Sequence, residues 1–236
     1  MQHIRLHSWD VSREEAIALQ NSLRDRLSFR DDGGEITTVA GLDVSYDKGS
    51  DLMFAGIVTL RLPGLSVVET ATAALRVSFP YIPGLLSFRE SPAVLAAWGR
   101  LTVTPDCLIC DGQGLAHPRR FGIACHLGLL CEQQSLGCAK SLLVGTYREP
   151  GRTRGSAVPL VDKGETVGMI VRTKDGVEPV FVSVGHRISL ERAVEVVLRC
   201  TTTYRLPEPT RRAHLLVNEE RRKAKGEPTS TQGSLF

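Results

Sequence analysis

Residues 36–77 carry three β-type segments in close succession, and from residue 93 onward helical and strand segments alternate. That order leaves few foldable arrangements. Three strands joined by short connections pair antiparallel, because a parallel pair needs a crossover of a dozen residues or more. The later alternation supplies such crossovers. The chain therefore predicts an α/β class: a mixed sheet, an antiparallel meander extended by further strands, with helices on both faces.

The first strand is expected at 36–44 and holds Asp43 at its end. The second lies at 52–61 and the third at 65–77, with Pro63-Gly64 as the tight turn between them. Upstream, Ser12-Arg13-Glu14-Glu15 has the spacing of a capping box, in which the serine caps and the glutamate reaches back. Ala16, Ile17, Gln20, Leu23 and Leu27 follow at helical spacing, so a helix is predicted over 12–27. Further on, helices are predicted at 93–101, 120–133, 189–202 and 209–223. Short strands are predicted at 106–110, 135–139, 166–172 and 179–183.

The 236 residues are enough for a sizeable core, as one domain or at most two. Hydrophobic residues make up 42% and charged residues 23%, ordinary for a soluble globular protein. A formal net charge of +3 permits a nucleic-acid partner without demanding one. The N-terminus lacks the apolar stretch of a signal peptide, and no apolar run approaches a membrane span. The chain reads as cytoplasmic, with its six cysteines reduced. Cys107 and Cys110 have CxxC spacing but sit in an apolar run with no second pair, so all six cysteines read as core or incidental.

The loop Phe79-Pro80-Tyr81-Ile82-Pro83-Gly84 is stiffened by two prolines and carries an aromatic tip. Such a tip suits insertion into a base stack; packing of Tyr81 on the core is the plainer alternative. Asp43 and Asp111 fall at or near strand ends, and Glu90 follows the loop. Magnesium prefers one or two carboxylates plus waters and phosphate oxygens, which these acids could supply if the sheet pairs them. Asp111-Gly112-Gln113-Gly114 lets a phosphate or base approach the backbone, and His117-Pro118 stiffens the exit; a simple turn explains the same residues. Lys140, after a short apolar strand, could neutralise phosphate charge or be an exposed strand-end lysine. His214 lies in the first turns of the last helix and could ligate metal, order a water or be structural.

Five segments together resemble the endonuclease V family: Val39-Ala40-Gly41-Leu42-Asp43, residues 79–90, 111–118, 137–141 and 207–214. The resemblance implies a ribonuclease-H-like fold. It implies that residues 1–225 form a single catalytic domain and 226–236 a flexible tail. It implies magnesium at Asp43 and Asp111, with manganese able to substitute, and catalytic roles for Glu90, Lys140 and His214. Tyr81 would be the strand-separating wedge, and Pro83, Gly84, Leu86, Gly112 and His117 would contact the substrate. The implied reaction is cleavage of the second phosphodiester bond 3′ to deoxyinosine, leaving 3′-hydroxyl and 5′-phosphate ends. Inosine-containing RNA is the alternative substrate, and a non-catalytic lesion-binding protein the alternative class. A monomer with no membrane partner is expected. The last five residues, Gln232-Gly233-Ser234-Leu235-Phe236, resemble the short peptide by which repair proteins dock on a sliding clamp. Gln232, Leu235 and Phe236 would be its anchors.

Overall fold

The computed structural model describes residues 1–227. Helix α1 (Arg13–Arg24) starts at the expected capping box: Ser12 accepts from the Glu15 amide and Glu15 returns to the Ser12 amide. Strands β1 (Thr38–Tyr46), β2 (Leu52–Arg61) and β3 (Ser66–Arg76) form the antiparallel meander. Helix α2 (Leu86–Trp98), β4 (Cys107–Cys110), α3 (Ile123–Cys131) and β5 (Gln134–Ala139) follow. Strands β6 (Ala157–Asp162), β7 (Glu165–Val171) and β8 (Val180–His186) precede α4 (Leu190–Arg199) and α5 (Glu208–Ala224).

The sheet has eight strands in the order β3-β2-β1-β4-β5-β8-β7-β6. β4 is parallel to β1 and to β5, and the remaining neighbours are antiparallel. This is the mixed, ribonuclease-H-like sheet that was expected. Strand alternation divides the core in two. Ala40, Leu42, Leu108 and Cys110 pack with α2 and α3 on one face, and α1 reaches the same cluster through Ala16. Val39, Cys107, Ile109, Leu136 and Cys138 pack with α4 and Ala213 of α5 on the other. Cys107 and Cys110 thus lie on opposite faces, which is why their CxxC spacing makes no metal half-site. All six cysteines are free and buried. Among the described residues no helix is long and apolar enough to cross a membrane.

Three expectations are corrected. β1 continues to Tyr46, so Asp43 lies inside the strand, opposite Gly56 of β2, and not at its end. α2 begins at Leu86, where the sequence suggested 93, so Glu90 sits on a helix and not on the loop exit. The helix holds Pro92 in its interior. An interior proline costs about 3 kcal/mol. Burial of Phe88, Leu95 and Trp98, at about 1.5–3 kcal/mol for each such side chain, exceeds that cost. β6 was not anticipated. It is an edge strand with only Leu160 buried, and it tolerates Pro159 because an edge need not donate on both sides.

Helix α5 crosses β1 and β2 closely because two of their residues lack side chains. A Cβ on Gly41 would lie 2.0 Å from the Pro209 carbonyl carbon, and one on Gly56 would lie 2.6 Å from Val217 Cγ1. The first neighbour is backbone and has little freedom to move. Gly41→Ala is expected to destabilise the protein by about 3 kcal/mol. Gly64→Ala, at a turn glycine with open space around its Cβ position, should change stability by less than about 0.5 kcal/mol. Denaturant midpoints of the two variants test the difference.

Candidate active site

Parallel pairing of β1 with β4 carries Leu42 alongside Cys110, so the next residues, Asp43 and Asp111, become neighbours. The Asp111 amide reaches the Leu42 carbonyl at 3.4 Å and continues the ladder by one residue. Lys140 follows β5, the next strand in order. Two carboxylates and an ammonium therefore project near the carboxyl ends of three parallel strands, where α/β sheets place their ligands.

Each acid has a stated partner. His214 on α5 bonds Asp43 Oδ2 through Nδ1 at 2.8 Å, and its Nε2 lies 3.0 Å from the Asn218 side-chain amide. Ser45 in turn donates to Asn218 Oδ1 at 3.0 Å and sets the amide orientation. The hydrogen bond to Asp43 raises the His214 pKa above its ordinary value, against the effect of burial. Lys140 Nζ lies 2.5 Å from Asp111 Oδ2. Burial raises the Asp111 pKa, the Lys140 hydrogen bond opposes the rise, and the charge of Asp43 adds to it.

Glu90 arrives from the opposite face, on α2. With Asp43 and Asp111 it lines a space of about 10 Å³ floored by Leu42, Cys110 and Leu127, about the size of one water. Burial pushes its pKa up to about 8, and the charges of Asp43 and Asp111 push the same way; Arg89 opposes them. Its carboxyl is thus held neutral at neutral pH by its surroundings. Among the described residues no group of three or more His, Cys, Asp or Glu side chains is placed to hold a metal ion. Two adjacent carboxylates, beside a third acid kept protonated first by burial and then by their charge, are oxygen donors of the kind a hard divalent cation takes when water and phosphate complete its shell.

Beside the acids opens a cleft of about 380 Å³, within the usual range for a small-molecule site. Asp111 and Lys140 line one part of it. Tyr81, Pro83, Gly84, Leu86, Gly112 and His117, all singled out in the sequence, line it. Tyr81 is 62% exposed, so packing of its ring on the core is excluded. Gly84 adopts φ +78°, and a Cβ there would meet Arg119 at 2.8 Å; one on Gly112 would meet Ile123 at 2.8 Å.

Both ends of the proline loop are anchored. Arg89 donates to the Phe79 carbonyl at 2.6 Å. The Gly84 carbonyl accepts from Gln20 at 3.0 Å and Arg119 at 2.6 Å, and lies 3.0 Å from His117 Nε2. His117 Nδ1 accepts from the Arg119 amide at 3.2 Å, so the neutral Nε2–H tautomer satisfies both contacts. Burial lowers the His117 pKa to about 4, with Arg119 adding to the effect, in keeping with a neutral ring. Gln20 and Arg119 were not recognised from sequence. Gln20 did leave a signal, as the polar member of the apolar stripe on α1, where it is now buried. Exposed Leu142 and Leu143 on the far lip of the cleft were also missed, because nothing local distinguishes them from ordinary loop residues. His126 is fully buried among Trp9, Phe88 and Phe121, outside the cleft lining.

A raised carboxyl pKa in the folded state makes stability fall as pH rises through that value, because the unfolded glutamate ionises near its ordinary pKa. For Glu90 the loss should run from about pH 4.5 to about pH 8 in cation-free protein. Glu90→Gln removes this titration. Its melting temperature in EDTA should gain on that of the native protein as pH rises from 5 to 9; a constant difference across that range would contradict the assignment.

The sequence model of the Endonuclease V family matches residues 20–215. Endonuclease V of Myxococcus xanthus is 54% identical over 215 residues, 91% of this chain and 92% of that protein. Among solved structures, Endonuclease V of Streptomyces avermitilis aligns with a TM-score of 0.88 at 46% identity, over 92% of this chain and 96% of that one. Endonuclease V of Ciona intestinalis, in complex with a 24-mer DNA containing an inosine followed by a ribo-adenosine, aligns with a TM-score of 0.76 at 30% identity, over 89% and 98%. Agreement of this extent, in sequence and in the sheet that assembles Asp43 with Asp111, means that the chain belongs to the endonuclease V family of nucleases.

Proposed function

We propose that the protein is a cytoplasmic, monomeric DNA-repair endonuclease that hydrolyses the second phosphodiester bond 3′ to deoxyinosine. Residues 1–225 are the catalytic unit. The observation that carries this reading is the meeting of Asp43, Asp111, Glu90, Lys140 and His214 at the end of a base-sized cleft whose lip is Tyr81. The inosine-containing DNA bound by the Ciona relative supports the choice of lesion.

Asp43 and Asp111 would hold magnesium, or manganese in its place. The ion would polarise the phosphoryl oxygen and favour attack by water, leaving 3′-hydroxyl and 5′-phosphate ends. Glu90 orders the attacking water or a further cation contact once its own proton is displaced. His214 holds Asp43 in its rotamer and, through Nε2, can exchange its Asn218 contact for water. Lys140, beside Asp111, would offset charge that develops on the phosphate.

Tyr81 enters the duplex from a loop held at both ends, and the lesion base turns into the cleft. Unstacking costs a few kcal/mol, and less at a mismatched or damaged pair. Backbone groups near Gly84, Leu86 and Gly112 then face the base edge with no side chain from either glycine between, while Pro83 and His117 support the wall. Hypoxanthine lacks the exocyclic amine of guanine, so a close-fitting wall excludes guanine by size.

The sugar preference has a second reading. The Ciona ligand carries a ribonucleotide directly after the inosine, which favours testing inosine RNA beside DNA. Matched deoxyinosine and inosine oligonucleotides, incubated with magnesium, should give nicking two bonds beyond the lesion. Asp43→Ala should lower the rate by at least roughly a hundredfold. Lesion binding with no cleavage at any magnesium concentration would instead favour a non-catalytic binding protein.

The clamp-docking peptide, with Gln232, Leu235 and Phe236 as anchors, lies outside the described residues and is proposed from its sequence. A short apolar anchor on a linker suits such docking. Deletion of residues 232–236 should abolish clamp binding in a pull-down while nicking of deoxyinosine DNA is unchanged; retained clamp binding would rule the peptide out.

A further inference from the structure

A second cleft, of about 540 Å³, opens next to the first and is lined by Tyr46, Lys48, Ser50, Ser78, Tyr81 and Arg89. Tyr81 is the only residue common to both linings, so its side chain stands between them. The second cleft shares none of the acids, nor Lys140, with the first.

The charge in this cleft is unbalanced. Arg89 is 8% exposed, donates Nη1 to the Phe79 carbonyl and Nη2 to the Ser50 carbonyl, and leaves Nε without an acceptor. Among the described residues it has no carboxylate ion-pair partner, and neither does exposed Lys48. Its guanidinium lies over the Tyr46 ring, 5.2 Å from the centroid. Asp51, also on this wall, is already paired with Arg76 at 2.5 Å. A buried cation is costly unless an anion or several acceptors compensate it. Buried Arg89 and exposed Lys48, beside two tyrosines, make a cleft for an anionic, aromatic ligand: a nucleotide.

We propose that this cleft receives the complementary strand at the opened pair, with a phosphate near Lys48 and Arg89 and the unpaired base beside Tyr46 and Tyr81. The inference rests on the wedge reading of Tyr81. A side chain that parts two strands must leave one on each side. The lesion strand runs to Asp111 and Lys140 through the first cleft, so the second is left for its complement. The same contact favours duplex over single-stranded substrate and keeps the orphaned base from re-pairing.

Lys48→Ala, with Lys48→Arg as the charge-retaining control, tests the assignment by fluorescence anisotropy in EDTA. The probes are a deoxyinosine duplex and the same lesion strand alone, titrated over a range of salt. Loss of one phosphate contact lowers the slope of log affinity against log salt by about 0.9 on a duplex. That loss, with weaker duplex binding, is expected for Lys48→Ala on the duplex only, and Lys48→Arg should restore it. Equal weakening on both probes would assign the cleft to the lesion strand and overturn the proposal, as would no change on either. Native-protein preference for deoxyinosine over deoxyadenosine in the single strand, read in the same titration, reports separately on the base cleft.

Discussion

The hydrogen bonding of β1 to β4 is the contact on which the rest of the site depends. It is parallel and in a register that sets Asp43 beside Asp111. A shift of one residue would turn either side chain to the opposite face of the sheet. The face they occupy is covered by α5, which approaches only because Gly41 and Gly56 lack side chains. That approach brings His214 to Asp43, as β5 brings Lys140 to Asp111. Glycines that seem featureless in a strand thereby position a histidine more than 150 residues away in the chain.

The assembled acids are electrostatically unfavourable by themselves. His214 and Lys140 relieve Asp43 and Asp111, but Glu90, coming from the other face, is buried and in the field of both, and keeps its proton instead. Such a conflict is expected where function and stability compete. A divalent cation would resolve it, and the position of Glu90 on a well-packed helix keeps the acid in place until then. The buried aromatic residues Phe88 and Trp98 hold that helix despite Pro92.

The proline loop likewise has fixed ends and an exposed middle. Arg89 secures the carbonyl at one end, and Gln20, Arg119 and His117 gather on the carbonyl at the other. Between them Tyr81 faces solvent. Arg89, which anchors this loop, is followed in sequence by Glu90, so one turn of α2 serves both the loop and the acids.

The strand meander, the α1 capping box and the sheet's mixed character were legible locally, because they depend on alternation and on hydrogen bonds between near neighbours. The motifs around Asp43, Tyr81, Glu90, Asp111, Lys140 and His214 were legible through family resemblance. β6 was not, since an edge strand with one buried side chain has almost no hydrophobic pattern. The start of α2 was hidden because a proline cost is local while the burial that outweighs it is not. By itself the sequence determined which chemical groups were present and the order of most of the elements. Only the tertiary structure decided that Asp43 is inside a strand, that Glu90 reaches the acids from the other face of the sheet, and that Gln20 and Arg119 support the loop. Those outcomes follow from strand register and close helix packing, which join residues far apart in the chain.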